Sequence, residues 1–145
     1  MLHEDITGPL LAAFYEVHHD LGHGFLESVY ERAMIVALSS RGLVAARQVP
    51  VAVHYRGQVI GNFAADLLVE GCVIAELKSC RALESIHDAQ LLNSLRATRI
   101  EVGLLLHFAP KPAFKRFVLT NDRKVGLAGH TIATPVPNVV PAAVS

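Results

Sequence analysis

Apolar residues recur at helical spacing over residues 5–21, where Ile6, Leu10, Leu11, Phe14, Val17 and Leu21 form one face. Asp5 is placed to cap this helix with Pro9 in its first turn, and Gly22 and Gly24 separate it from the next. A second helix is predicted over residues 25–41, with Phe25, Leu26, Val29, Ala33, Met34, Ala37 and Leu38 inward and Gly42 as its stop. Glu27, Tyr30, Glu31 and Met34 share one stripe of it, and on composition alone both glutamates read as solvated helix charges. From residue 44 the period falls to two: Val49, Val51, Val53 and Tyr55 lie on one side, and Gln48, Ala52, His54 and Arg56 on the other. A turn at Arg56, Gly57 and Gln58 leads from this strand into a second, and a third follows, all antiparallel.

The second and third strands lie in the run GNFAADLLVEGCVIAELKS, residues 61–79. Asp66 falls on the first arm of this hairpin, and Glu76 and Lys78 on the second. Val73, Ile74, Ala75 and Leu77 leave the second arm no polar face, which is the signature of a central strand. Glu76 and Lys78, two apart, point to one face, and Leu77 to the other. Register decides whether Asp66 joins them. A two-residue turn at Glu70 and Gly71 would pair Val69 with Cys72, set Asp66 opposite Ala75 and separate the carboxylates. Convergence therefore requires one extra residue, either a three-residue loop through Cys72 or a bulge near Asp66, and that irregularity is predicted.

Beyond Lys78, Ser85 with Asp88 has the spacing of a capping box, and Ile86, Ala89, Leu92, Leu95 and Ala97 mark a helix to about residue 98. His87, Gln90 and Asn93 lie near one another on its surface, with Arg96 and Arg99 at its end. Residues 102–108 read as a core strand reached by a helical crossover, and residues 114–119 as a final edge strand after Pro110 and Pro112. The fold class is α/β: a mixed sheet of four or five strands flanked by helices.

At 145 residues the chain makes one domain, taken as residues 1–120, with a Pro-, Val- and Ala-rich tail over 121–145 that is either flexible or an arm laid on a neighbour. A hydrophobic fraction of 52% and a mean hydropathy of +0.38 suggest apolar surface shared between subunits, hence a homo-oligomer. No apolar run is long enough for a membrane span and the opening MLHEDITGP lacks the regions of a signal peptide, so a cytoplasmic location is expected. Cys72 and Cys80 form no CxxC pair, and His18, His19 and His23, near a helix end, suit the helix dipole better than zinc. Net charge is zero, which argues against binding nucleic acid by bulk electrostatics. It is unevenly spread: residues 1–72 hold four basic and eight acidic residues, and residues 73–145 nine and five.

Two carboxylates converging beside an ammonium repel one another, which raises one pKa or recruits a cation. Carboxylate oxygens with water favour Mg²⁺ or Mn²⁺ over zinc. Such an ion would polarise a scissile phosphate and lower the pKa of an attacking water, with Lys78 orienting that water or offsetting developing charge.

The runs GFLESVYE (residues 24–31), DLLVEGCVIAELKS (66–79) and HDAQLLNSLRAT (87–98) together resemble the GxxExxY family, a small prokaryotic branch of the PD-(D/E)XK nuclease superfamily, over roughly residues 4–119. The resemblance implies a restriction-endonuclease-like sheet with Asp66, Glu76 and Lys78 in the signature positions. Glu27 then fills the glutamate of the opening helical region, and Gln90 the glutamine on the helix after the catalytic strand, completing the catalytic set. Asp66, Glu76 and Leu77 are the metal-holding positions. Gln48, Tyr30, His87 and Arg96 are candidates to meet substrate, although Gln48 equally suits an exposed edge and Arg96 a helix dipole. Arg99 and His107 stand where members of that family tend to have Gly and Asn. The expected activity is Mg²⁺- or Mn²⁺-dependent phosphodiester hydrolysis, with DNA as substrate; the alternative is a non-catalytic module binding nucleic acid or protein on the same fold.

Overall fold

Alternating and continuous apolar runs fold here into one sheet with helices on both faces. In the computed structural model, which describes residues 1–124, the strands are β1 (Ala45–Tyr55), β2 (Gln58–Val69), β3 (Val73–Lys78), β4 (Val102–His107) and β5 (Ala113–Val118). They lie side by side in chain order. β1, β2 and β3 run antiparallel, β3 and β4 parallel, and β4 and β5 antiparallel. Helices α1 (Glu4–Leu21) and α2 (Glu27–Ser40) cover one face and α3 (Ser85–Arg96), the crossover between the parallel strands, covers the other. The expectation for residues 121–145 lies outside the described residues except for a short 3₁₀ turn, Asn121–Arg123, and Lys124. Among the described residues no helix is long and apolar enough to cross a membrane.

β3 is the central strand, as its lack of a polar face predicts. One of its faces, with Ala75 and Leu77, packs with Leu10, Phe14, Met34 and Leu38 of α1 and α2. The other, with Ile74, packs with Leu91 and Leu95 of α3. β1 and β2 form a much longer hairpin, joined by a tight turn at Arg56 and Gly57, both with positive φ. Only Leu67, Leu68 and Val69 of β2 pair with β3, so residues 58–66 pair with β1 alone, and the hairpin arm runs on past the end of β3.

Several helix boundaries and faces differ from the sequence expectation. His3, not Asp5, takes the N-cap position of α1, without a side-chain capping bond, and Pro9 stands in the second turn, where a proline does remove an intrahelical donor. α2 starts at Glu27, leaving Phe25, Leu26 and Val29 exposed, while Tyr30, Glu31, Met34 and Ile35 are buried. Both sides of this helix carry apolar residues, so periodicity alone does not choose between them. In α3 the capping residue is Glu84, whose N–H donates to Nδ1 of His87 at 3.0 Å, instead of Ser85 with Asp88. Its buried face is Leu91, Ser94 and Leu95, with Ile86 and Ala89 exposed.

Tyr30 is the largest correction. It is fully buried, stacked on Phe108 with ring centroids 4.0 Å apart, and its hydroxyl donates to the Gly22 carbonyl at 2.7 Å. It pins α2 to the chain beyond β4 and cannot meet a substrate. Phe14 closes the same cluster edge-on to Phe108.

α3 approaches β4 closely at Gly103, where a Cβ would sit 2.8 Å from Cδ1 of Leu91. Gly103→Val is therefore expected to destabilise the protein by about 1–3 kcal/mol in urea unfolding. Leu91→Ala should cost less in that background than in the wild type, because it relieves the clash it shares; equal costs in both backgrounds would contradict the packing described.

Candidate active site

The turn between β2 and β3 carries the predicted extra residue. Glu70 and Gly71 both adopt positive φ, and the Cys72 N–H donates to the Val69 carbonyl, as in a tight hairpin turn. Yet Val69 pairs with Val73, not with Cys72, so Cys72 is left over as the third loop residue. The Glu70 carboxylate secures the turn by accepting the Val44 N–H at 2.6 Å. Leu67 then faces Ala75, and one step further Asp66 comes opposite Glu76.

Backbone pairing of β2 with β3 stops there, and the Asp66 side chain takes over: Oδ2 accepts the Leu77 N–H at 2.8 Å. Glu76 is mostly buried and hydrogen-bonded to Asp66. Burial first, then the Asp66 charge and that hydrogen bond, push the Glu76 pKa up from 4.5 to about 9, with Lys78 opposing the rise. At neutral pH the pair then holds one negative charge and one proton where two charges could stand. Lys78, next on the same face, extends Nζ to Oε1 of Gln90 at 3.3 Å. The expected grouping of Asp66, Glu76, Lys78 and Gln90 is thus observed, around a cleft of about 350 Å³ between β2 and α3.

Glu27 reaches the same strand end by another route. Its Oε2 accepts the Ser79 N–H at 3.0 Å, clasping the residue after Lys78 without touching the carboxylates. His107, paired in register with Lys78, fixes the loop beyond through a 2.6 Å contact of Nε2 with the Cys80 carbonyl. His87 is occupied in capping α3, and Arg96 is exposed in its last turn.

Gln48 falls where the β1–β2 register would place it opposite Asp66, but its φ is +52° and the pairing is interrupted there. Ala46 and Val49, three apart, consequently both face α3, as do Ala65 and Leu68 in β2. The Gln48 amide spans Glu31 and Asp66, donating at 3.1 Å to each Glu31 oxygen and at 3.4 Å to Oδ1 of Asp66. Glu31 is no solvated charge: it is 3% exposed and also paired with Arg47 at 3.0 Å. Burial raises its pKa against the pull of Gln48. Sequence reading missed this support; the Glu27–Tyr30–Glu31–Met34 stripe was its only signal.

The donors suit a hard divalent cation. Asp66 and Glu76 supply carboxylate oxygens from one side of the sheet, and Leu77 can add only its main-chain carbonyl. Among the described residues no three His, Cys, Asp or Glu side chains form a ready-made cage. Two carboxylates and a carbonyl are nonetheless what an ion keeping several waters requires.

A family model of the PD-(D/E)XK nuclease superfamily matches residues 4–117, and the chain belongs to that superfamily. The five-stranded mixed sheet with its flanking helices agrees with the restriction-endonuclease-like fold the sequence motifs imply. No curated protein and no solved structure matches it significantly.

The proton on Glu76 gives a pH signature. The folded chain retains it to about pH 9 and the unfolded chain releases it near 4.5, so between those values the native state binds more protons and stability falls as pH rises. Thermal melts of metal-free protein across that window should show the decline, and Glu76→Gln should flatten it. Mn²⁺ should raise the melting temperature more at the alkaline end. A wild-type profile parallel to that of Glu76→Gln would contradict the assignment.

Proposed function

We propose that the chain hydrolyses phosphodiester bonds in DNA with Mg²⁺ or Mn²⁺, as a member of the GxxExxY branch of its superfamily. The observation that carries this reading is the facing of Asp66 and Glu76 at the foot of an open cleft, with Lys78 next on the same side. Asp66, Glu76 and the Leu77 carbonyl would hold the ion. When bound there, a divalent cation polarises the scissile phosphate and makes water easier to deprotonate. Lys78 contributes hydrogen bonds and positive charge where the phosphate oxygens gain negative charge. Gln90 steadies that ammonium through its carbonyl and keeps its NH₂ group for a phosphate oxygen or the attacking water. Glu27 fixes the strand end through Ser79, and Arg96, exposed and outside the cleft lining, would add a phosphate contact away from the centre.

The three letters of the branch name support the finer assignment, because each has work in this fold. Gly24 adopts a φ of +106° in the turn before α2, Glu27 clasps the end of β3, and Tyr30 locks the helix against Phe108. A cytoplasmic location accords with a nucleic-acid substrate. Self-association accords with the exposure of Leu26, Val36 and Ile60, each more than 60% accessible in one chain.

Purified protein incubated with single- and double-stranded DNA and RNA should cleave DNA with Mg²⁺ or Mn²⁺ and not with EDTA. Asp66→Ala and Lys78→Ala should each lower the rate by about 100-fold or more. Cleavage surviving either substitution would overturn the proposed centre. Absence of both cleavage and Mn²⁺ binding would favour a non-catalytic module instead.

A further inference from the structure

We propose that the cleft receives one unstacked base of single-stranded DNA, with Phe63 as its stacking partner and Asn93 as the group that reads its edge. This rests on the nuclease reading only in placing the adjoining phosphate at Asp66 and Glu76.

One wall of the cleft is Phe63 and Ala64, on the part of β2 that pairs with β1 alone. Phe63 is two residues from Ala65, which packs in the core beneath α3, so its side chain stands on the same side of the sheet as that helix. It is only half-buried, and it takes part in none of the ring contacts among the described residues. An aromatic side chain held on a rib beside a reaction centre, with neither core nor ring partner, suits a planar ligand.

The opposite wall is α3. Gln90 and Asn93 lie one turn apart on it and both line the cleft. Gln90 is engaged by Lys78, whereas the Asn93 amide makes no hydrogen bond to another described residue. A carboxamide offers a donor and an acceptor side by side, which matches a base edge. A volume of about 350 Å³ is enough for a ligand the size of one base.

Charge favours the same occupant. Among the described residues Lys78 is the single cation lining the cleft, in a chain with no net charge, so duplex binding through many phosphate contacts lacks its usual source of affinity. Stacking does not depend on that source, and a base offers a free face only when its strand is single or frayed.

Fluorescence anisotropy with labelled oligonucleotides in Ca²⁺ tests this without requiring turnover. Wild-type protein should bind single-stranded DNA about tenfold or more tightly than a duplex of equal length. Phe63→Ala should weaken single-strand binding about tenfold and leave duplex binding unchanged, with Phe63→Trp restoring it. Asn93→Ala should change the ranking among homopolymer strands. Unchanged single-strand affinity in Phe63→Ala, or a duplex bound as tightly as a single strand, would overturn the proposal. If Phe63→Ala does not fold, Asn93→Ala decides, since an unaltered homopolymer ranking also overturns it. A protein that binds in this way yet cleaves nothing would refute the proposed function and keep this inference; cleavage with binding indifferent to Phe63 would do the reverse.

Discussion

Like charges held a few ångströms apart repel by about 1–4 kcal/mol at the dielectric of a protein surface, and this fold is built to hold two carboxylates in that relation. One residue sets it. Without Cys72 as the third member of the β2–β3 turn, Asp66 would face Ala75 and its carboxylate would leave on the other side of the sheet. With Cys72 in place the two acids meet, and Glu76 answers by retaining a proton. The strain of the pair is thus a property of the register, and a cation is the natural means of relieving it.

Holding Asp66 costs the chain further. Gln48 sits in a left-handed conformation that costs a non-glycine residue on the order of 1–2 kcal/mol, and Glu31 is buried with its charge partner Arg47. A buried ion pair adds little net stability, because desolvation takes back most of what the attraction gives. The return lies elsewhere. From that backbone geometry Gln48 bridges Glu31 and Asp66, so its amide meets the Oδ1 atom of Asp66 while the Leu77 N–H meets Oδ2. Stability comes instead from the two apolar layers on either side of β3, which leaves the polar network free to serve orientation.

Much of this was legible because the informative residues lie within one short run. The apolar continuity of residues 73–77 identified the central strand, and counting residues across Glu70 and Gly71 showed that an extra one was needed. Asp66, Glu76 and Lys78 fall together for that reason, whereas Gln90 comes only from the resemblance of residues 87–98 to the family. Other features were closed to pattern reading. Phe25, Leu26 and Val29 are as apolar as Tyr30, Met34 and Ile35, so only the packing of α2 reveals which set is covered. The resemblance offers Tyr30 to substrate, yet its hydroxyl is satisfied locally by the Gly22 carbonyl. Glu31 depends on a left-handed Gln48, and no periodicity announces a positive φ in a residue other than glycine. The wall at Phe63 arises only because β2 outruns β3, a difference in strand length fixed by the sheet as a whole.

That difference in length also explains why chemistry belongs at this place and not elsewhere on the sheet. Where two strands stay paired, their N–H and C=O groups satisfy one another and the surface between them is closed. β2 leaves β3 after Leu67, and the parting strands would strand the Leu77 N–H. Asp66 accepts it, so the hydrogen bond that ends the pairing is also the one that aims the carboxylate. Opening the sheet creates the cleft, and the donor freed by the opening orients the acid at its foot. Binding space and reactive group therefore follow from one structural event, and a change that zipped β2 and β3 further together would remove both.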